Sequence, residues 1–266
     1  MPLLEVCCGN LESVDAAVAG GAPRIELCSA LEVDGLTPPT AWLEEVKRRY
    51  PSLIVHVLVR PRAGNFVYTE QEIRLMASQV ESALQAGADG IVIGCLTADG
   101  DVDLPAMERL VAVVDSCNLA TELLRSDLCH AANDAHFFPG PSRRVSITFH
   151  RAFDICRKPF GALEKIVALG CDRILTSGQK PTAEEGIDLL RELNARAAGR
   201  IGILPGGGVT PGNAARILEA TGCTEIHASA STLRNGRKIT SPALVSALLS
   251  SLDTLRTDAR PGGSCW

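Results

Sequence analysis

The sequence predicts an α/β chain closed into a (β/α)8 barrel, the TIM-barrel architecture. Short β-like runs alternate with amphipathic helical stretches along the whole chain, which argues for a parallel sheet. Eight such runs occur in 266 residues, and about 250 residues is the usual size of this barrel. No G-x-G-x-x-G follows the first run, which disfavours an open dinucleotide-binding sheet.

The units follow in order. Leu3–Cys8 is the first β run, and a helix is expected over Asn10–Ala19. Arg24–Cys28 precedes a helix over Thr40–Tyr50, and Ile54–Arg60 one over Thr69–Ala86. Gly90–Gly94 leads to Pro105–Val114, and Val145–His150 to Pro159–Leu169. Arg173–Ser177 leads to Ala183–Ala198, Ile201–Pro205 to Asn213–Ala220, and Glu225–Ser229 to Pro242–Arg256. Gly21-Ala22, Gly87-Ala88, Gly170-Cys171 and Gly222-Cys223 fall where helices hand over to strands, where glycine supplies a left-handed cap. One stretch breaks the rhythm: Asp115 to Arg144 is an extra segment between the fourth helix and the fifth strand. Its Leu119, Leu123, Leu124 and Leu128 suggest an additional helix, and Phe137–Pro141 a turn. Leaving from a helix end, it is expected on the amino-terminal face of the barrel. Nothing divides the chain, so residues 1–257 are read as one domain and 258–266 as a loose tail.

Composition narrows the function. The chain is 46% hydrophobic with a net charge of −5. No basic stripe marks a nucleic-acid partner. No apolar run reaches the ~18 residues of a membrane span, and the first residues lack a basic, then apolar, leader. A soluble, cytoplasmic protein is expected. The 10 cysteines have no regular spacing, so most are read as small buried apolar residues rather than a disulfide framework. Cys129, His130 and His136 make a poor zinc pattern with no second pair.

The candidate site comes from strand parity. Val145, Ile147 and Phe149 share one face of the fifth run, and Ser146, Thr148 and His150 the other. In the first run Leu4, Val6 and Cys8 alternate with Glu5 and Cys7; in the second Ile25 and Leu27 alternate with Arg24, Glu26 and Cys28. The apolar parity belongs against the outer helices. The lumen then receives Glu5, Cys7, Glu26, Cys28, His56, Arg60, Thr148, His150 and His227, where an inert barrel carries Val, Ile and Leu. Buried charge requires partners or a use. One reading is a structural network joining Glu5 and Glu26 to Arg60. The other is chemistry at the carboxyl ends of the strands, with His150 as acid or base, Asp154 orienting it, and Glu5 or Glu26 as a second carboxylate. Gly206, Gly207 and Gly208 follow the seventh strand, where this fold binds phosphate, and would hold an anion with Arg60, with His227 also contacting the ligand. Cys7 and Cys28 share the inward parity on neighbouring strands, and two thiolates side by side suit Cu(I).

Several motifs together resemble the CutC family of copper homeostasis proteins. They are Glu5-Val6-Cys7, Arg24-Ile25-Glu26-Leu27-Cys28-Ser29, Gly35-Leu36-Thr37-Pro38, Arg60-Pro61-Arg62-Ala63-Gly64, Thr148 to Asp154, Leu175-Thr176-Ser177-Gly178-Gln179 and Pro205-Gly206-Gly207-Gly208. The likeness spans about residues 3 to 230. It implies a cytosolic, oligomeric (β/α)8 barrel that binds Cu(I) through Cys7 and Cys28. The chain departs from the family pattern in the Asp115–Arg144 segment and after Ser231. It departs also in His227-Ala228-Ser229-Ala230-Ser231, where a Cys and an Arg of the pattern are replaced. Two functions are expected from these residues: Cu(I) binding in copper homeostasis, or catalysis on a small anionic, sugar-like or phosphorylated metabolite. A barrel retained only as a binding scaffold is a third, which the inward Glu, Arg and His residues disfavour. Partners are then copper or such an anion and further copies of the chain, with no organic cofactor, nucleic acid or membrane.

Overall fold

The computed structural model describes residues 2–128, 144–234, 236–253 and 255. Eight parallel strands form the central sheet: β1 (Leu3–Cys8), β2 (Arg24–Leu27), β3 (Ile54–Leu58), β4 (Gly90–Ile93), β5 (Ser146–Phe149), β6 (Arg173–Thr176), β7 (Gly202–Pro205) and β8 (Glu225–Ala228). Their order is β7-β6-β5-β4-β3-β2-β1-β8. A single parallel bridge between Gly206 and His227 joins the two ends, so the sheet curls into a nearly closed (β/α)8 barrel. The helices are α1 (Leu11–Ala19), α2 (Thr40–Arg49), α3 (Glu70–Gln85), α4 (Leu104–Leu128), α5 (Pro159–Ala168), α6 (Ile187–Ala197), α7 (Ala214–Thr221) and α8 (Pro242–Asp253).

Local chemistry starts these helices where the sequence signals them. Asn10 accepts the Ser13 amide at 2.8 Å ahead of α1. Thr69 and Glu72 form a reciprocal capping box at α3, satisfying two donors that the first turn leaves unpaired. Pro159 opens α5, where its missing N–H costs nothing.

The main core lies between the strands and the helices. It takes Leu4, Val6 and Cys8 from β1, Ile25 and Leu27 from β2, Val55 and Val57 from β3, Ile91 and Ile93 from β4, and Ile147 and Phe149 from β5. The apolar parity therefore faces outward, as expected. Cys7 and Cys8 part company accordingly: Cys8 joins this outer layer, while Cys7 joins Cys28, Leu58 and Val92 in a small separate cluster inside.

One expectation is corrected. The additional helix after residue 115 is the continuation of α4, which runs without a break to Leu128. Its cause is composition: Leu119, Ala120, Glu122 and Leu123 are strong helix formers, and no Gly or Pro follows before Pro139. The turn expected at Phe137–Pro141, the Cys129, His130 and His136 group and the tail after 257 lie outside the described residues. The stretch between β8 and α8, for which no element was expected, is a hairpin of β9 (Ser231–Arg234) and β10 (Arg237–Thr240). Asn235-Gly236 sits between the two strands, the strongest short hairpin signal, and Gly236 has φ 74°.

Candidate functional site

Glu5 is the centre of the lumen. It is 1% exposed and receives three cationic or imidazole groups from three strands. Arg24 Nε lies 2.6 Å from Oε2, His56 Nδ1 3.0 Å from the same oxygen, and His227 Nδ1 2.9 Å from Oε1. Arg24, itself 2% exposed, also reaches Glu225 at 2.5 Å, which Arg173 approaches at 2.8 Å from β6. Burial alone would push the Glu5 carboxyl up. The Arg24 guanidinium and the bonds from His227 and His56 outweigh it and hold the group well below the usual carboxylate range. Glu5 is therefore an anion in a low-dielectric interior, and its partners are what make that tolerable.

The structural network expected between Glu5, Glu26 and Arg60 is thus built with Arg24 in place of Arg60. Arg60 spends its guanidinium on the backbone, donating to the carbonyls of Val33 at 2.7 Å, Gly35 at 2.8 Å and Gly64 at 3.1 Å. It clamps two rim loops together, and its Nε has no partner among the described residues.

Two glycines, Gly90 at the start of β4 and Gly94 just past its end, make room for two imidazoles. A Cβ at Gly90 would collide with the His56 ring, and one at Gly94 would stand 2.6 Å from His150 Nδ1. Real Cβ atoms do not approach so closely, so glycine is required at both places if the rings are to lie across the strand.

His150 stands apart from the Glu5 network. Its Nδ1 accepts the Ala152 amide at 3.2 Å, so the hydrogen of the neutral ring is on Nε2, which has no partner among the described residues. Phe66 covers the ring at 4.9 Å between centroids. Burial first, and the Arg60 charge second, push the imidazole down to about 3. The orienting role expected of Asp154 is not made: its carboxylate takes Thr176 Oγ1 at 2.5 Å, the Ser177 amide at 2.9 Å and Arg151 at 2.8 Å. Asp154 ties the loop after β5 to the end of β6.

On the other side, Glu26 is buried, and burial raises its carboxyl above the usual range. His227 Nε2 is 3.7 Å from Glu26 Oε2. Burial would lower the His227 imidazole, but Cys7, Glu5 and Glu26 together raise it well above its ordinary value. Cys7 Sγ and Cys28 Sγ are 3.6 Å apart. Cys28 Sγ also reaches the Cys8 carbonyl at 3.5 Å. The hydrogen bond with Cys28, then burial, raises the Cys7 thiol well above its usual range. Cys7, Glu26, Cys28, Arg60, His150 and His227 all open on one cavity of about 760 Å³ at the carboxyl ends of the strands. Gly207 and Gly208, with φ 100° and 70°, form part of its wall, while Gly206 belongs to the bridge that closes the ring.

The chain is a (β/α)8 barrel whose lumen holds buried charge and whose rim cavity is lined by thiols, imidazoles and carboxylates. Residues 2–135 and 141–232 match the CutC family. A family protein named CutC from Bacteroides thetaiotaomicron is 45% identical over 226 residues, covering 85% of this chain and 80% of its own length. One from Parabacteroides distasonis is 38% identical over 260 residues and 96% of both chains. Among solved structures, the candidate copper homeostasis protein CutC of Streptococcus agalactiae superposes with a TM-score of 0.73 at 30% identity, covering 86% of this chain and 99% of its own. The chain belongs to the CutC family.

The His150 environment gives a pH prediction with a definite sign. An unfolded imidazole takes up a proton near 6.5 and the folded one only near 3. The stability gained from a neutral ring is complete above pH 6.5 and drains away as the pH falls towards 3. At pH 5 the loss relative to pH 7 is about 2 kcal/mol from this one group. Urea unfolding at the two pH values is expected to show this difference shrinking by about that amount in His150→Gln; an unchanged difference would contradict the assignment.

Proposed function

We propose that this protein binds Cu(I) as cargo through Cys7 and Cys28, serving copper homeostasis in the cytosol. The observation that carries the reading is the 3.6 Å separation of the two sulfurs, in a pocket that Leu31, Leu58 and Val92 line with apolar surface. Soft thiolate donors in apolar surroundings select Cu(I) over hard divalent ions. Both thiols sit on strand ends and open on the rim cavity, which supplies an entry path. Loading releases their protons, because the thiolate is the ligand. The relative from Streptococcus agalactiae carries copper homeostasis in its description, which supports the same reading. No helix among the described residues is long and apolar enough to cross a membrane, consistent with a cytosolic site of action. Self-association into a homo-oligomer belongs to the same proposal.

The Cys7→Ser, Cys28→Ser double variant is expected to lose tight Cu(I) binding in competition with a Cu(I) chelator. Cys8→Ser, altered on the outer face of the same strand, is expected to bind like the parent. Unchanged affinity in the double variant would remove the proposal.

A second reading is favoured by the size of the cavity. At about 760 Å³ it falls in the range of small-molecule sites, which run from about 300 to 1,000 Å³, and far exceeds one ion. Here His227 and Glu26 would exchange protons with a small anionic, sugar-like or phosphorylated metabolite. His150 would donate through Nε2 and the Gly207–Gly208 wall would meet the anion. Asp154, held by Thr176 and Ser177, would only support the loop. Thermal-shift measurements against sugar phosphates are expected to find at least one stabilising compound whose effect His150→Gln abolishes; a set without any stabiliser would count against catalysis.

A further inference from the structure

Two sulfurs at this spacing do not complete a metal site. With a metal–sulfur bond of about 2.3 Å, sulfurs on opposite sides of one ion stand about 4.6 Å apart. Here they are 3.6 Å apart. An ion bound to both must sit off the line joining them, with an angle at the metal of roughly 100° if each bond is about 2.3 Å. That geometry leaves one side of the ion open towards the lumen.

Three donors on that side are grouped for ligation; Cys28 lies outside the group, so binding by both sulfurs and His227 requires the donors to close in around the ion. The Cys7 sulfur, a Glu26 oxygen and a His227 ring nitrogen lie within 4.8 Å of one another. His227 turns Nδ1 to Glu5 Oε1 at 2.9 Å, which leaves Nε2 for the side shared with Cys7 and Glu26. A metal-binding histidine ordinarily gives its other N–H to a carboxylate, which fixes the ring and its tautomer. Glu5 fits that part closely, being 1% exposed and itself held by Arg24 at 2.6 Å. Between the two remaining donors, a soft ion takes imidazole nitrogen before carboxylate oxygen.

We infer that His227 Nε2 is the third ligand of the ion held by Cys7 and Cys28, making a Cys2His site in which Glu5 is the positioning residue. The inference rests on the Cu(I) reading above. Loading breaks two S–H bonds and removes any hydrogen on Nε2; these protons leave to solvent and the copper stays Cu(I). Glu26 then lines the site without binding the ion.

X-ray absorption of the Cu(I)-loaded full chain tests this without any substitution: two sulfurs and one imidazole nitrogen are expected around the copper. His227→Gln is expected to keep its copper with the nitrogen gone and to bind at least tenfold more weakly in chelator competition. Glu26→Gln should keep the nitrogen. Urea unfolding of both variants separates a lost ligand from a lost fold. Two sulfurs alone in the parent protein would overturn the third ligand and leave the two-thiol site standing. Loss of the nitrogen in Glu26→Gln but not in His227→Gln would overturn the assignment to His227. A parent protein that holds no Cu(I) would overturn both.

Discussion

One buried ion pair, Glu5 with Arg24, lies at the centre of the polar network inside the barrel. A carboxylate in the middle of a barrel would cost several kcal/mol without a partner. Arg24 on the adjacent strand provides it at 2.6 Å, and the same guanidinium neutralises Glu225. Once Glu5 is kept ionised, it is hydrogen-bonded to the His227 imidazole and faces that of His56 at 3.0 Å. The lumen of this barrel is therefore ordered by charge rather than by the interlocking aliphatic layers that fill an inert one.

That order divides the rim cavity into two unlike halves. Around Cys7, Cys28, Glu26 and His227, soft and titratable donors converge beneath an apolar cover. Around His150, Arg60 and Phe66, a neutral ring and a cation already committed to three carbonyls form a wall. The second half is held in shape by secondary contacts: Gly94 admits the ring, Ala152 fixes its tautomer, and Asp154 pins the loop that follows.

Much of this was legible in the chain. The period-two alternation of Leu4, Val6 and Cys8 against Glu5 and Cys7 determined which residues enter the lumen, because a strand has only two faces and the helices take the apolar one. The inward set named from that rule is buried where the rule puts it, except His227, which is partly exposed at the mouth. Partner choice was not legible. Arg24 and Arg60 have the same inward parity in their own strands, and only the stagger between neighbouring strands decides which one meets Glu5. Gly90 and Gly94 read as ordinary strand glycines until the imidazoles of adjacent strands are seen to lie over them. Asp154 was assigned to His150 from proximity in sequence, yet the short 3-10 turn over Arg151–Ile155 swings its carboxylate to β6. The β9–β10 hairpin had a clear Asn-Gly signal that an eight-unit rhythm obscured.

Glu5 and Arg24 depend on each other, and a double-mutant cycle on the pair measures that coupling. Glu5→Gln and Arg24→Leu are each expected to cost roughly 3–5 kcal/mol in urea unfolding, because each strands a buried charge. The combined variant should then cost clearly less than the sum, giving a coupling of about 1–3 kcal/mol. Strictly additive losses would contradict the claim that this ion pair organises the lumen.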